Sequence, residues 1–214
     1  MPAVHAPRYA LWLGGRLGLL AYGGGMFTDP NGYTETTGNF VSNGLAIEAD
    51  IGARIERRYI PYVALELGLV GPGHRFDHAP ASAGTSFVGV GVRLLAGDVD
   101  NVAFASDISF GFRRMQVSRT DLGETWSASG FEFLRLGLGA EIRLSTRFTL
   151  TPMLTLSGGT LTDTSGSVTF APNQGDGLTG TPSYVNNGQI TGDSQKTYEA
   201  FVLGCGAHFD LIGR

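Results

Sequence analysis

The chain has 214 residues, a length suited to one domain, and its composition is unusual for a soluble globule: 33 glycines, 42% hydrophobic and only 16% charged residues. The formal net charge of −4 comes with basic residues spread along the chain, so there is no basic footprint for nucleic acid. The most apolar stretch, Leu11 to Phe27, is interrupted by seven Gly or Arg residues, which excludes a membrane-spanning helix. A single cysteine, Cys205, excludes an intrachain disulfide and a multi-cysteine zinc site, and is expected to be a small apolar residue.

The N-terminus, Met1 to Tyr9, lacks the charged start, apolar core and cleavage site of a secretory signal, and is expected to be a mature form restarted with Met. Beyond it, period-2 alternation predicts eight strands in one domain, near 9–27, 44–55, 59–70, 86–96, 102–115, 131–144, 147–158 and 197–211. In the first, Leu11, Leu13, Leu17, Leu19 and Ala21 oppose Trp12, Gly14, Arg16 and Gly18. The second sets Leu45, Ile47, Ile51 and Ile55 against Glu48, Asp50 and Arg54, as side chains alternating across a strand require. The third and fourth sort Val63, Leu65 and Leu67 from Glu66, and Val88, Val90 and Val92 from Arg93. Phe104, Ile108, Phe110 and Phe112 then oppose Asp107 and Arg113. Leu134, Leu136 and Leu138 oppose Arg135, Glu141 and Arg143, and Phe148, Leu150, Leu154 and Leu156 oppose a row of threonines. Finally Phe201, Leu203, Cys205 and Phe209 oppose His208 and Asp210.

The polar face of these strands collects six arginines (16, 54, 93, 113, 135 and 143) and six carboxylates (48, 50, 66, 107, 141 and 210). On the other face charge is expected only at strand ends, at Arg114, Glu132 and Glu199. Alternation permits a soluble cup with an apolar interior or a membrane barrel with a charged one. Three features favour the membrane form. Glycines crowd the charged face, where a narrow lumen needs room for long side chains. The charges there are balanced, as confinement away from water requires. The links alternate in length: 56–58, 97–101 and 145–146 are short, while 28–43, 71–85, 116–130 and 159–196 are long and polar.

With these residues the chain resembles the small eight-stranded outer-membrane barrels, the OmpA, OmpX and OmpW group, over nearly its whole length. The resemblance implies an all-β, eight-stranded antiparallel up-and-down transmembrane barrel, with short periplasmic turns, long extracellular loops and both termini in the periplasm. It implies location in a bacterial outer membrane, with lipid or lipopolysaccharide around the wall and an envelope or cell-surface partner at the loops. The chain departs from the group in ending Phe209 to Arg214 without a terminal aromatic.

The turn positions set Arg93 opposite Asp107 as an ion pair, and Glu48 opposite Glu66, a repulsive pair unless Arg16 or another guanidinium bridges it. Pro61 and Pro152, inside strands, are expected to mark bulges. Tyr59, Phe148 and Phe209 on the turn side, and Phe27, Phe131 and Phe201 on the loop side, are expected to form interfacial girdles. His208 reads as a lumenal hydrogen-bonding residue in preference to a catalytic one, and His74, Asp77 and His78 as solvated loop residues in preference to metal ligands. No enzyme activity, cofactor or metal is expected. The function expected is a structural or interaction protein acting through its loops or in an envelope complex, with a narrow solute channel and a soluble ligand-binding barrel as alternatives.

Overall fold

The computed structural model describes residues 4–28, 32–77, 79–170, 183–185, 188–190 and 192–213. Its eight long strands are β1 (Tyr9–Thr28), β2 (Val41–Ile55), β3 (Tyr59–Pro72), β4 (Ala81–Gly97), β5 (Val102–Arg119), β6 (Glu124–Arg143), β7 (Phe148–Thr169) and β8 (Thr197–Leu211). Each pairs antiparallel with its neighbours in sequence, and β1 pairs with β8 from Leu11↔Leu211 to Gly24↔Tyr198, closing the sheet. Closure leaves no strand edge to meet lipid.

The alternation resolves with its apolar face outward. Leu19, Leu65, Val88, Phe112 and Leu203 are each half or more exposed, while Arg54, Arg93 and Arg113 are 1% exposed. A soluble cup with an apolar interior is therefore ruled out. The lumenal glycines make the expected room. A Cβ on Gly14 would lie 2.2 Å from the His208 ring, and one on Gly89 would lie 2.4 Å from the Phe87 ring.

Several expectations about the strand ends are corrected. The segment 116–130 is no long loop: β5 and β6 run on to a tight turn at residues 120–123, and β4 and β7 likewise extend beyond 86–96 and 147–158. Once a strand leaves hydrocarbon its outward face no longer needs apolar residues, so the alternating signal stops while the ladder continues. The prolines insert no extra residue. Gly52↔Tyr62 and Ile55↔Tyr59 flank Pro61 in one unbroken register, as Gly139↔Met153 and Ile142↔Leu150 flank Pro152. In each case the missing N–H opens a short gap in one ladder, and secure pairs on both sides hold the alignment. Register shifts occur instead at Val41/Gly44, Ser109/Gly111, Ser129/Gly130 and Glu132/Leu134. Three of these sites carry a glycine whose Cβ would lie 2.0–2.1 Å from a facing carbonyl, at Gly44, Gly111 and Gly130. Phe27 is fully buried, not part of a girdle, because a shift between Gly25 and Phe27 turns it inward after Met26. Phe131, Phe201, Tyr59 and Phe209 do face outward.

On the turn side the N-terminal segment ties two turns together. Glu56 and Arg57 adopt φ of 49° and 68°, a conformation uncommon without glycine. The turn is held by Arg8, which donates to Glu56 at 2.7 and 2.8 Å, and by the Arg57 N–H on the Arg8 carbonyl at 3.1 Å. Asp100 accepts the Ala6 N–H at 2.7 Å and pairs with His5 at 3.0 Å and with Arg57. Desolvation raises the Asp100 carboxyl, but these donors outweigh it and hold it well below the usual carboxylate range. A depressed folded value means that the contact contributes fully above the unfolded pKa of about 4, and is lost as pH falls through the folded one. The Ala6 amide proton shift in NMR should therefore keep its hydrogen-bonded value from neutral pH to about 4 and move upfield in stronger acid. Asp100→Asn should weaken the bond already at neutral pH. An Ala6 shift indifferent to both changes would show that Asp100 does not anchor this segment.

Candidate functional site: the lumenal charge network

All thirteen residues singled out in the sequence (Arg16, Glu48, Asp50, Arg54, Glu66, Arg93, Asp107, Arg113, Arg135, Glu141, Arg143, His208 and Asp210) lie inside the barrel, none more than 9% exposed. They form three groups along the axis. Nearest the loops, Glu48 and Glu66 stand opposite each other on β2 and β3. Arg135 Nη2 bridges them, donating to Glu48 Oε2 and to Glu66 Oε2 at 2.6 Å each. Arg16 donates to both Glu48 oxygens at 2.8 Å and to Thr155 at 2.9 Å. Arg113 joins Glu66 at 3.0 Å to Glu132 and to the Tyr22 hydroxyl at 2.7 Å. The Phe87 ring lies under both guanidiniums, 4.8 Å from that of Arg135 and 5.3 Å from that of Arg113.

In the middle group Arg93 and Asp107 face across the β4–β5 ladder and pair at 3.0 Å, with Tyr62 donating to the same carboxylate. The Arg93 guanidinium sits 4.8 Å above the Trp12 ring, which also stacks on His208 at 4.3 Å and 13° and lies 6.0 Å from the Tyr62 ring. His208 Nε2 meets Asp50 at 3.1 Å and Nδ1 meets Thr151 at 3.2 Å. Nearest the turns, Arg54 reaches Asp210 at 2.8 Å and Glu141 at 2.9 Å. Arg143 reaches the same two at 3.0 and 3.3 Å, and also the Val99 carbonyl at 2.9 Å. Every carboxylate is thus held by at least one cationic or imidazole partner, the condition under which buried charges are tolerated.

Sequence reasoning missed Glu132, which it placed on the lipid face. The register shift between Glu132 and Leu134 turns it inward, fully buried, with Phe133 and Leu134 both outside. The sequence does carry a mark of this: apolar parity changes between Phe133 and Leu134, two outward-facing residues in succession. With Glu132 included, seven lumenal carboxylates meet six guanidiniums and His208, so the balance of six against six is corrected. Tyr22, Tyr62 and Tyr198 were missed as well. Each donates or accepts within the network, Tyr198 donating to Glu132 at 3.1 Å.

Both ends of the lumen are filled. Above the charges an apolar plug joins Phe27 and Trp126 on the strands to Phe40, Phe76 and Phe170 from the connections. Phe40 lies 4.8 Å from the Trp126 ring and 5.9 Å from those of Phe27 and Phe170. The fully buried Glu35–Arg75 ion pair, also missed in the sequence, sits in the same cap and ties Thr34–Thr36 to the turn His74–Phe76. On the turn side Trp12, Ile60, Tyr62, Leu95 and Val99 pack together. Of the loop residues weighed as metal ligands, His74 and Asp77 lie 3.7 Å apart at the surface, and His78 falls outside the described residues.

No protein-family model matches the chain, and no curated protein does. Among solved structures, Neisserial surface protein A is similar at 10% identity and a TM-score of 0.55, covering 93% of this chain and 97% of its own. The Yersinia pestis attachment invasion locus protein Ail gives 12% identity, 94% and 99% coverage and a TM-score of 0.43. The Escherichia coli outer-membrane protease OmpT gives 9%, 95% and 96%, and 0.41. The closed ring of eight strands, its apolar outer wall and the full-length match to the Neisserial protein give this chain the architecture of the small outer-membrane β-barrels.

Proposed function

We propose that the protein is a non-conducting, non-enzymatic barrel of the bacterial outer membrane, whose role lies in the surface it presents above the lipid to an envelope or cell-surface partner. The observation that carries this reading is the filled lumen. An apolar plug, three layers of paired charges and a second apolar cluster succeed one another along the axis. An eight-stranded barrel has an interior just wide enough for its own side chains, and here those side chains bond to each other. His208 supports the non-enzymatic part: it is 1% exposed, and both ring nitrogens are engaged. What remains for recognition is the extension of β4 to β7 beyond the membrane and the connections between their ends.

Refolded protein in a planar bilayer should give no steady openings at neutral pH, against a mock-refolded control. Reproducible unitary currents would replace this reading with a solute channel selected by the lumenal arginines and carboxylates.

A further inference from the structure

The middle layer of the lumen holds three polar atoms that the charge network leaves over. Trp12 Nε1, Asp50 Oδ1 and Arg93 Nη1 have no hydrogen-bond partner among the described residues, and the residues that carry them are 0%, 3% and 1% exposed. A buried N–H or carboxylate oxygen without a partner bears the full cost of leaving water. Each such atom in a native interior calls for an explanation.

The three residues are neighbours, and Trp12 stands between the other two. The Arg93 guanidinium lies 4.8 Å from its ring, and His208, which stacks on it, holds the second oxygen of Asp50 at 3.1 Å. On the ladder Trp12 and Asp50 occupy adjacent strands, one inward position apart, because Gly14 pairs with Asp50 and Trp12 with Gly52. The inward positions beside them are therefore glycines, with no side chain to fill the space. The other nitrogens of Arg93 are spent on one partner: Nε and Nη2 donate to Asp107 Oδ2 at 3.2 and 3.0 Å. The layer thus divides into two bonded groups, Arg93 with Asp107 and Tyr62, and Asp50 with His208 and Thr151. Among the described residues no direct hydrogen bond joins them.

We propose that this layer binds a water molecule that accepts from Trp12 Nε1–H and Arg93 Nη1–H and donates to Asp50 Oδ1, linking the two groups. The mixture of donors and acceptor selects the ligand. An anion would face the Asp50 carboxylate, and a cation would face the guanidinium and the indole N–H. What fits is a small neutral molecule that accepts twice and donates at least once. Water does both, and a buried water typically makes about three bonds of this kind to groups that otherwise have none. The inference does not depend on what the outer surface of the barrel binds.

A crystal structure of the refolded full chain that resolves ordered water tests it, together with NOE and ROE spectra to water of the isotope-labelled protein in micelles. One density peak should lie within about 2.7–3.2 Å of all three atoms. The Trp12 indole proton should give a cross-peak at the water frequency with opposite signs in the two spectra, the mark of contact with a bound molecule as distinct from chemical exchange. The lack of a peak bridging Arg93 to Asp50 would overturn the proposal, as would an indole proton without the water contact; either result leaves the closed lumen standing. A file of waters running on through the layers of Arg135 or Arg54 would overturn it too, and would count against the closed lumen as well.

Discussion

Replacing Arg135 with methionine should lower the stability of the barrel by about 3–5 kcal/mol, the usual cost of removing one partner from a buried ionic cluster. The ladder fixes Glu48 opposite Glu66 whatever residue occupies position 135, and Arg135 is the group that bonds to both. Each glutamate retains one arginine, Glu48 with Arg16 and Glu66 with Arg113, so the loss is one of mutual repulsion and not of complete abandonment. The Glu66→Gln change in the same background removes that repulsion and should recover part of the loss, appearing as a coupling energy in a double-mutant cycle. Lysine at 135 should rescue poorly, because its compact ammonium lacks the planar fork that guanidinium presents to carboxylates. Urea unfolding in detergent reads all of this through Trp12 and Trp126, both buried in the folded barrel. A loss below about 1 kcal/mol, the level of exposed pairs, would mean that water enters the layer and that the network is not dry.

The same two glutamates show how much of this molecule was legible. Their opposition follows from the turn at 56–58 and the strict period of two, and the pairing of Arg93 with Asp107 follows in the same way from the turn at 97–101. Alternation also sorts inside from outside, because a strand in a membrane barrel must satisfy lipid on one face and a crowded lumen on the other. What escaped the sequence lies where that double demand lapses. Beyond the membrane the outward face of β5 and β6 is free to be polar, so strand was read as loop. At the register shifts beside Gly25, Gly130 and Phe133 the parity changes, which turns Phe27 and Glu132 inward. The partnership of Arg135 with residues on β2 and β3 was beyond reach for another reason: it spans the lumen, and local periodicity carries no information about which side chains meet across it. The cap pair Glu35–Arg75 was hidden in the same way, since both residues stand outside the strands that the alternation revealed.

The second large effect is expected in that cap. Phe40→Ala should cost the loop-side plug about 3–5 kcal/mol, as for other buried phenylalanines, because Phe40 is fully buried and its ring meets those of Phe27, Phe76, Trp126 and Phe170. The loss should stay local. The plug stands above the layer of Arg113, Glu132 and Arg135, whose ion pairs do not involve Phe40, and regions of a fold open with their own free energies. Hydrogen exchange should therefore accelerate in Thr37–Phe40 and His74–Phe76, by a factor of about 100 or more from 3 kcal/mol upward. Amides of β2 and β3 beside Glu48 and Glu66 should be little affected. Conductance separates the two seals. If the charge layers close the lumen, the variant remains silent in a planar bilayer despite its loosened cap. If Phe40→Ala produces steady openings while the barrel stays folded, the aromatic plug is the gate, and the paired charges beneath it line a path that ions can cross.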